Sequence, residues 1–342
     1  MNILFLGLGS IGQRHLRNLI SLNKKIKFYA IRKKYSTPLL DNKNKIISGD
    51  IKKKYKINYL KKFSEIKKKN IKLDAAFICT PSIFHISQAT WLIKNNINVF
   101  VEKPLGSDDK KVGDLIKALK SNTQVKAMMG FQLKFNPIIN RVKRLISKNF
   151  IGIIYKVLIE HGEHINDFHP YEDYKKTYAA RKELGGGVIL TQIHELDYMY
   201  YIFENYNIKN INSISGQISK LKMNVEDTLI SNFLIKKNKK NKFLCTLHLN
   251  YYEKPKKRKI TILASEGKII ADLNKQNLLI YKKNYFKNIK FKFSGNTIFK
   301  KQVLYFLNAI KNKRKIKKTY DLFNGVKSLK LAIKLKKLST KI

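Results

Sequence analysis

Acidic residues are scarce in this chain. Against 71 lysines and arginines stand 23 aspartates and glutamates, a formal charge of +48 over 342 residues. Cysteine is scarcer still, at two, with six prolines and one tryptophan. Cys79 and Cys245 lie far apart in strand-like runs. That excludes a disulfide scaffold or a cysteine zinc site and predicts buried free thiols in a reducing compartment. No apolar run approaches about 18–20 residues, so no helical membrane span is predicted. The opening MNILFLGLGSIGQRH has no basic n-region and runs into glycines. It reads as a first buried strand rather than a signal peptide, and a cytoplasmic location is expected. Hydrophobic residues reach 44% and aromatics 11%, which excludes a disordered chain, and the length suits two domains, each with its own core.

The positive excess raises the question of nucleic acid, and its distribution argues against that partner. Lysines are spread over 52–54, 67–69, 236–242, 255–259 and 311–318, while arginine, the usual fork for phosphates and base edges, is sparse. Lys, Asn and Ile all have AT-rich codons, so a biased genome accounts for the composition without a binding role. Solvated lysine faces are expected.

Up to about residue 123, apolar strands alternate with helical spacing. NILFLGL (2–8), IKFYAI (26–31), LDAAFICTP (73–81), INVFVEKP (97–104) and KAMMGFQ (126–132) read as strands; 11–22, 87–96 and 108–122 read as helices. Continuous Val/Ile/Leu/Phe runs between helices predict a parallel sheet covered on both faces. The remainder is strand-rich over 151–163, 211–221, 227–235, 242–253, 259–273 and 278–283, then helical at 301–312 and 322–338. The expected fold class is α/β: a doubly wound Rossmann domain at 1–123, then an α+β domain at 124–342 with a large, mostly antiparallel open sheet. The last helices have the spacing to pack back on the first domain.

GLGSIG (7–12) follows a strand and opens a helix, the context in which this motif binds a dinucleotide. Gly7 permits the turn, Gly9 the approach of a pyrophosphate, and Gly12 close helix–strand packing. Ser10 and Ile11 begin the helix whose free N–H groups face the phosphates. The second strand ends without the acid that bonds an NAD ribose. Arg32 stands there instead and can pair a 2′-phosphate, so NADP is expected, with NAD the alternative.

With these features, the sequence resembles the Gfo/Idh/MocA oxidoreductases over nearly its whole length. DAAFICTPSIFH (74–85), VFVEKPLG (99–106) and GFQLKFNP (130–137) carry the resemblance, with Lys134 where arginine is usual. VEDTL (225–229) and ASEGKIIADL (264–273) are similar to the family's later strands. The resemblance implies hydride transfer between nicotinamide C4 and a hydroxyl-bearing carbon of a sugar, cyclitol or nucleotide sugar, with surface-polysaccharide synthesis a setting by analogy. It implies a homodimer or homotetramer through the open sheet. It places Thr80, Pro81, His85, Glu102 and Lys103 at the cofactor. Lys103, at the carboxyl end of a parallel strand, suits the reacting hydroxyl, with Glu102 orienting it. Alternatives are a glycosidase or epimerase using tightly bound NAD transiently, and a non-catalytic cofactor-binding regulator.

The stretch GGGVILTQIHELD (185–197) leads three glycines into a helix. At about 100° per residue, Ile189, Ile193, Leu196 and Tyr200 share one side and Thr191, His194 and Tyr198 the other. In sugar dehydrogenases of the resembled family this helix carries an Asp and then an acid/base His. His194 matches the His, while Thr191 stands at the Asp position. His194 is the expected second catalytic residue. Lys134, Tyr178, Lys182 and Thr191 are expected to line the substrate pocket. His161, His164 and His169, in the loop-like run 161–184, have spacings that fit no zinc pattern, so no metal is expected.

Overall fold

The structure is a computed structural model that describes every residue except Lys24, residues 32–36 and Lys240. The chain divides into two units. The first comprises Met1–Phe131, His169–Glu172 and Phe299–Lys327; the second comprises Gln132–Phe168, Asp173–Ile298 and Ser328–Ile342.

In the first unit the apolar runs form β1 (Asn2–Leu6), β2 (Lys27–Ile31), β3 (Ile57–Leu60), β4 (Ala75–Ile78), β5 (Asn98–Glu102) and β6 (Ala127–Gly130). They pair in the order β3-β2-β1-β4-β5-β6, every pair parallel. This is the doubly wound order, whose reversal between β1 and β4 opens a ligand crevice at the carboxyl ends of the strands. Helices α1 (Ser10–Leu22), α2 (His85–Lys94) and α3 (Val112–Ser121) cross over from β1 to β2, from β4 to β5 and from β5 to β6. β1 and β4 are buried almost throughout, as strands covered on both faces must be. Phe77 and Phe100 stack at 4.8 Å and meet Phe306 edge-on at 5.8 and 5.6 Å, so residues after 299 close this core. The edge of β6 is covered too: the Met129 N–H donates to the Tyr320 carbonyl at 2.9 Å, which removes an open edge.

A boundary at 123/124 therefore falls one strand early. β6 completes the first sheet by pairing with β5, and the unit runs to Phe131 before taking back Phe299–Lys327.

The second unit holds β7 (Ile154–Gly162), β8 (Asn207–Gly216), β9 (Thr228–Lys236), β10 (Lys242–Asn250), β11 (Lys257–Ala264), β12 (Gly267–Asp272), β13 (Asn277–Lys282), β14 (Tyr285–Lys290) and β15 (Thr340–Lys341). Their order is β14-β13-β12-β11-β7-β10-β9-β8-β15, antiparallel except at β7–β10 and β8–β15. The run 259–273, read as one strand, is a hairpin that turns at Ser265–Glu266. Burial alternates along β9 and β10: Phe233, Ile235, Cys245 and Leu247 face inward while Ile230 and Leu244 are exposed. One face is thus core and the other carries exposed Ile214, Ile230, Leu244, Tyr281 and Phe286. Helices α4 (Pro137–Ser147), α5 (Val188–Thr191) and α6 (His194–Ile202) belong to this unit; α7 (Gly295–Lys311) and α8 (Leu322–Leu338) contain residues of both. Cys245 is buried and Cys79, just beyond β4, is partly exposed; both are free thiols. Among the described residues no helix is long and apolar enough to cross a membrane.

Candidate active site

In the first unit the site begins at the carboxyl ends of β1, β4 and β5. Gly7 has φ +93°, and a Cβ on it would lie 2.5 Å from the Cys79 carbonyl oxygen; one on Gly12 would lie 2.4 Å from the Gly7 oxygen. Both positions exclude a side chain because backbone already fills the space. At Gly9 a Cβ would meet nothing within 4 Å. Gly9 caps α1 with no side-chain hydrogen bond, and no acid occupies the first turn. The amides of Ser10 and Ile11 at the start of that helix are donors suited to an anion. These residues fit the pyrophosphate of a dinucleotide. Arg32 lies outside the described residues.

The Thr80-Pro81 turn follows β4. The Thr80 hydroxyl donates to Gln88 Oε1 at 2.8 Å. His85 is 1% exposed, with Nδ1 2.7 Å from the Pro104 carbonyl and Nε2 2.7 Å from that of Thr80. Both ring nitrogens are spent on backbone, so His85 clamps two loops together rather than reaching a cofactor with its ring. Burial holds its pKa below the usual imidazole value, against the pull of the two carbonyls.

Lys103 lies just beyond β5, partly buried, and the Lys103–Pro104 bond is cis. Glu102 is 6% exposed. One of its oxygens accepts the Lys103 N–H at 3.2 Å. The other lies 2.6 Å from His15 Nε2 on α1. The His15 ring packs against Phe77 and Phe100 at 5.4 and 5.1 Å. Sequence reasoning missed His15; the signal available was that a buried carboxylate requires a partner. It missed Arg14 too, whose guanidinium lies 4.7 Å over the Phe299 ring. Burial lowers the Arg14 pKa, Arg17 adds to that, and Glu102 opposes it.

In the second unit, Gly185–Met199 is buried without a break. Gly187 has φ +103°, and a Cβ there would lie 2.2 Å from Glu226 Oε1. The helix that follows is interrupted at Gln192–Ile193, so α5 and α6 are separate pieces. A division into apolar and outward faces fails here, because Ile193, His194 and Tyr198 are all buried. His194 opens α6 at 4% exposure.

Thr191 does not replace a carboxylate. Its hydroxyl donates to the Gly187 carbonyl at 2.9 Å and contacts the buried Tyr251 hydroxyl. Lys134, expected at the substrate, is 1% exposed and pairs with Asp197 at 2.8 Å, one helical turn from His194. It is an interior residue that fixes α6. Tyr178 is half-buried and the Lys182 side chain exposed.

A further buried network was not foreseen. Glu195 Oε1 accepts from Arg258 Nε at 2.7 Å and lies 3.0 Å from His161 Nδ1. Burial alone would raise the Glu195 carboxyl, but Arg258 and then His161 outweigh it and hold the pKa at about 2. The three histidines considered for a metal are apart in role: His161 faces Glu195, His164 caps a turn at Asn166, and His169 belongs to the first unit.

An oxidoreductase family model with an NAD-binding Rossmann fold matches residues 1–131. The chain is 28% identical over 152 residues to oxidoreductase P35 of Formosa agariphila, covering 43% of this chain and 46% of that one. It is 32% identical over 87 residues to an inositol 2-dehydrogenase of Rhizobium meliloti, covering 25% and 26%. The matched stretches thus span less than half of these relatives' own lengths. The structure resembles UDP-N-acetylglucosamine 3-dehydrogenase GnnA from Acidithiobacillus ferrooxidans with a TM-score of 0.76 at 14% identity, covering 99% of this chain and 97% of that one. At that identity the likeness is one of fold.

Proposed function

From the match of residues 1–131 to the Gfo/Idh/MocA oxidoreductase family, we propose that the protein is a dehydrogenase of that family. It transfers a hydride between nicotinamide C4 and a hydroxyl-bearing carbon of a sugar, cyclitol or nucleotide sugar. The observation that carries this reading is the meeting of GLGSIG, the Thr80-Pro81 turn and Lys103 along one edge of a single parallel sheet. The names of the inositol and UDP-N-acetylglucosamine dehydrogenases support the substrate class.

When bound, the nicotinamide supplies the hydride donor or acceptor. Ser10 and Ile11 amides hold phosphate. The Lys103 side chain bonds the reacting oxygen: as the amine it would take the hydroxyl proton when that carbon gives up its hydride, and as the ammonium it would return the proton in the reverse direction. Glu102, fixed by His15, accepts the Lys103 N–H and so sets where that ammonium starts from. His194 serves as a second acid/base, with Asp197 and Lys134 fixing its helix. Arg32 selects NADP. The open face of the nine-stranded sheet pairs subunits into a dimer or tetramer; its exposed Ile214, Ile230 and Leu244 support that.

Titration with NADPH and NADH, followed by a screen of sugars, cyclitols and nucleotide sugars for change in nicotinamide absorbance, tests the reading. Tighter NADPH binding that is lost in Arg32→Asp is expected. Product formation with no net absorbance change would replace this reading with a transient use of bound NAD.

A further inference from the structure

The run HPYEDY (169–174) has no part in the chemistry above. Four of its residues, His169–Glu172, group with the first unit, although the chain on either side groups with the second. They form one tight turn: the Glu172 N–H donates to the His169 carbonyl at 3.1 Å. The two rings of the turn brace each other. Tyr171 Oη lies 3.3 Å from His169 Nδ1, and the rings meet edge-on at 5.6 Å.

What the turn touches is the dinucleotide loop. The Tyr171 hydroxyl lies within interaction reach of the side chain of Ser10, the first residue of α1 in the same unit. The His169 ring lies within electrostatic reach of Lys103 and Arg14. The flanks are fixed in the second unit. Phe168 packs edge-on against Tyr251 at 5.6 Å, and the Tyr174 hydroxyl accepts the Lys222 N–H at 3.0 Å.

A hydroxyl at Ser10 sits where the start of a helix receives phosphate oxygens. We propose that His169–Glu172 is a strap that closes over the bound dinucleotide, with Tyr171 bonding its pyrophosphate beside Ser10 and His169 lying against the Lys103 end. The proposal rests on the dinucleotide-binding reading above. It assigns Tyr171 and His169 as ligand-contacting residues in addition to the GLGSIG loop.

The electrostatics agree. Burial, then Lys103 and Arg14, push the His169 imidazole down to about 4, so it stays neutral beside two cations. Burial, with Glu172 adding and Ser10 opposing, pushes Tyr171 up to about 12, so the phenol stays protonated.

Stopped-flow NADPH binding and release, compared among the wild type, Tyr171→Phe, Ser10→Ala and the double variant, tests it. Loss of the tyrosine hydroxyl should raise the release rate by about 3- to 10-fold with the association rate little changed. The two single effects should be non-additive, because the residues share one ligand oxygen. Amide exchange of residues 169–172 should slow on adding NADPH to the wild type and slow less in Tyr171→Phe. Wild-type release rates in Tyr171→Phe, or NADPH binding tightened by that change, would overturn the strap while leaving dinucleotide binding intact. A wild-type protein that binds neither NADPH nor NADH would overturn the functional reading, and the strap with it.

Discussion

His15 Nε2 and Glu102 Oε1 lie 2.6 Å apart, with side-chain exposures of 0% and 8%. The pair joins the helix after the glycine loop to the residue before Lys103. Glu102 is thereby held by one oxygen to α1 and by the other to the Lys103 backbone.

His15→Leu leaves a buried carboxylate without its partner. The expected cost is about 2–4 kcal/mol of unfolding free energy, read by urea denaturation. Glu102→Gln added to His15→Leu should recover part of that loss, since an amide is easier to bury alone than a charge.

Lys103→Ala should lower turnover by about 10²- to 10⁴-fold while NADPH still binds. Steady-state kinetics alongside fluorescence titration separate the two effects. His194→Asn should be milder and should shift the pH profile of kcat. Undiminished turnover in Lys103→Ala would remove lysine from the chemistry.

Lys134 and Asp197 are each 1% exposed. Removing one member of such a pair takes its ion-pair partner from the other buried charge, at about 3–5 kcal/mol. Asp197→Leu and Lys134→Met are therefore each expected to unfold at clearly lower urea. The double variant should be more stable than either single one, whereas a pocket-lining lysine would give a change in KM instead.

His169 makes stability depend on pH. Unfolded, its ring takes a proton near 6.5; folded, burial with Lys103 and Arg14 delays this to about 4, while Glu172 lies 4.0 Å away. The folded state therefore binds fewer protons below pH 6.5, and the stability present above that pH is lost as pH falls toward 4. The loss is on the order of 3 kcal/mol at most. His169→Gln should flatten the slope of urea stability between pH 7 and 4.5. An unchanged slope would place the ring in solvent.

Ile230 pairs across the sheet with Ile214, and Leu244 with Leu234, on the exposed face. Ile230→Lys with Leu244→Lys should turn a dimer or tetramer into monomer by light scattering, with the fold kept by circular dichroism. A wild-type monomer would leave this face without that role.

What the sequence made legible was whatever lies close along the chain. GLGSIG needed only its strand and helix, and Lys103 only its place after an apolar run. Helix α4 was equally local, since Asn136 caps it with Pro137 next, yet it passed unread. β3, INYL, is a short edge strand with two less-buried residues, and its pattern is weak. The faces around His194 were misread because a periodicity assumes one continuous helix, and this one breaks at Gln192–Ile193. The pairs His15–Glu102, Lys134–Asp197 and Arg258–Glu195 join residues 87, 63 and 63 positions apart. No spacing rule reaches that far; only the need of a buried charge for a partner hinted at them.

His85, with a neutral ring able to donate from only one nitrogen, sits between the carbonyls of Thr80 and Pro104 at 2.7 Å each. The ring thus bridges the turns after β4 and β5. A neutral ring satisfies one of these carbonyls and turns a lone pair toward the other, so a proton gained by His85 would add a second bond between the two turns.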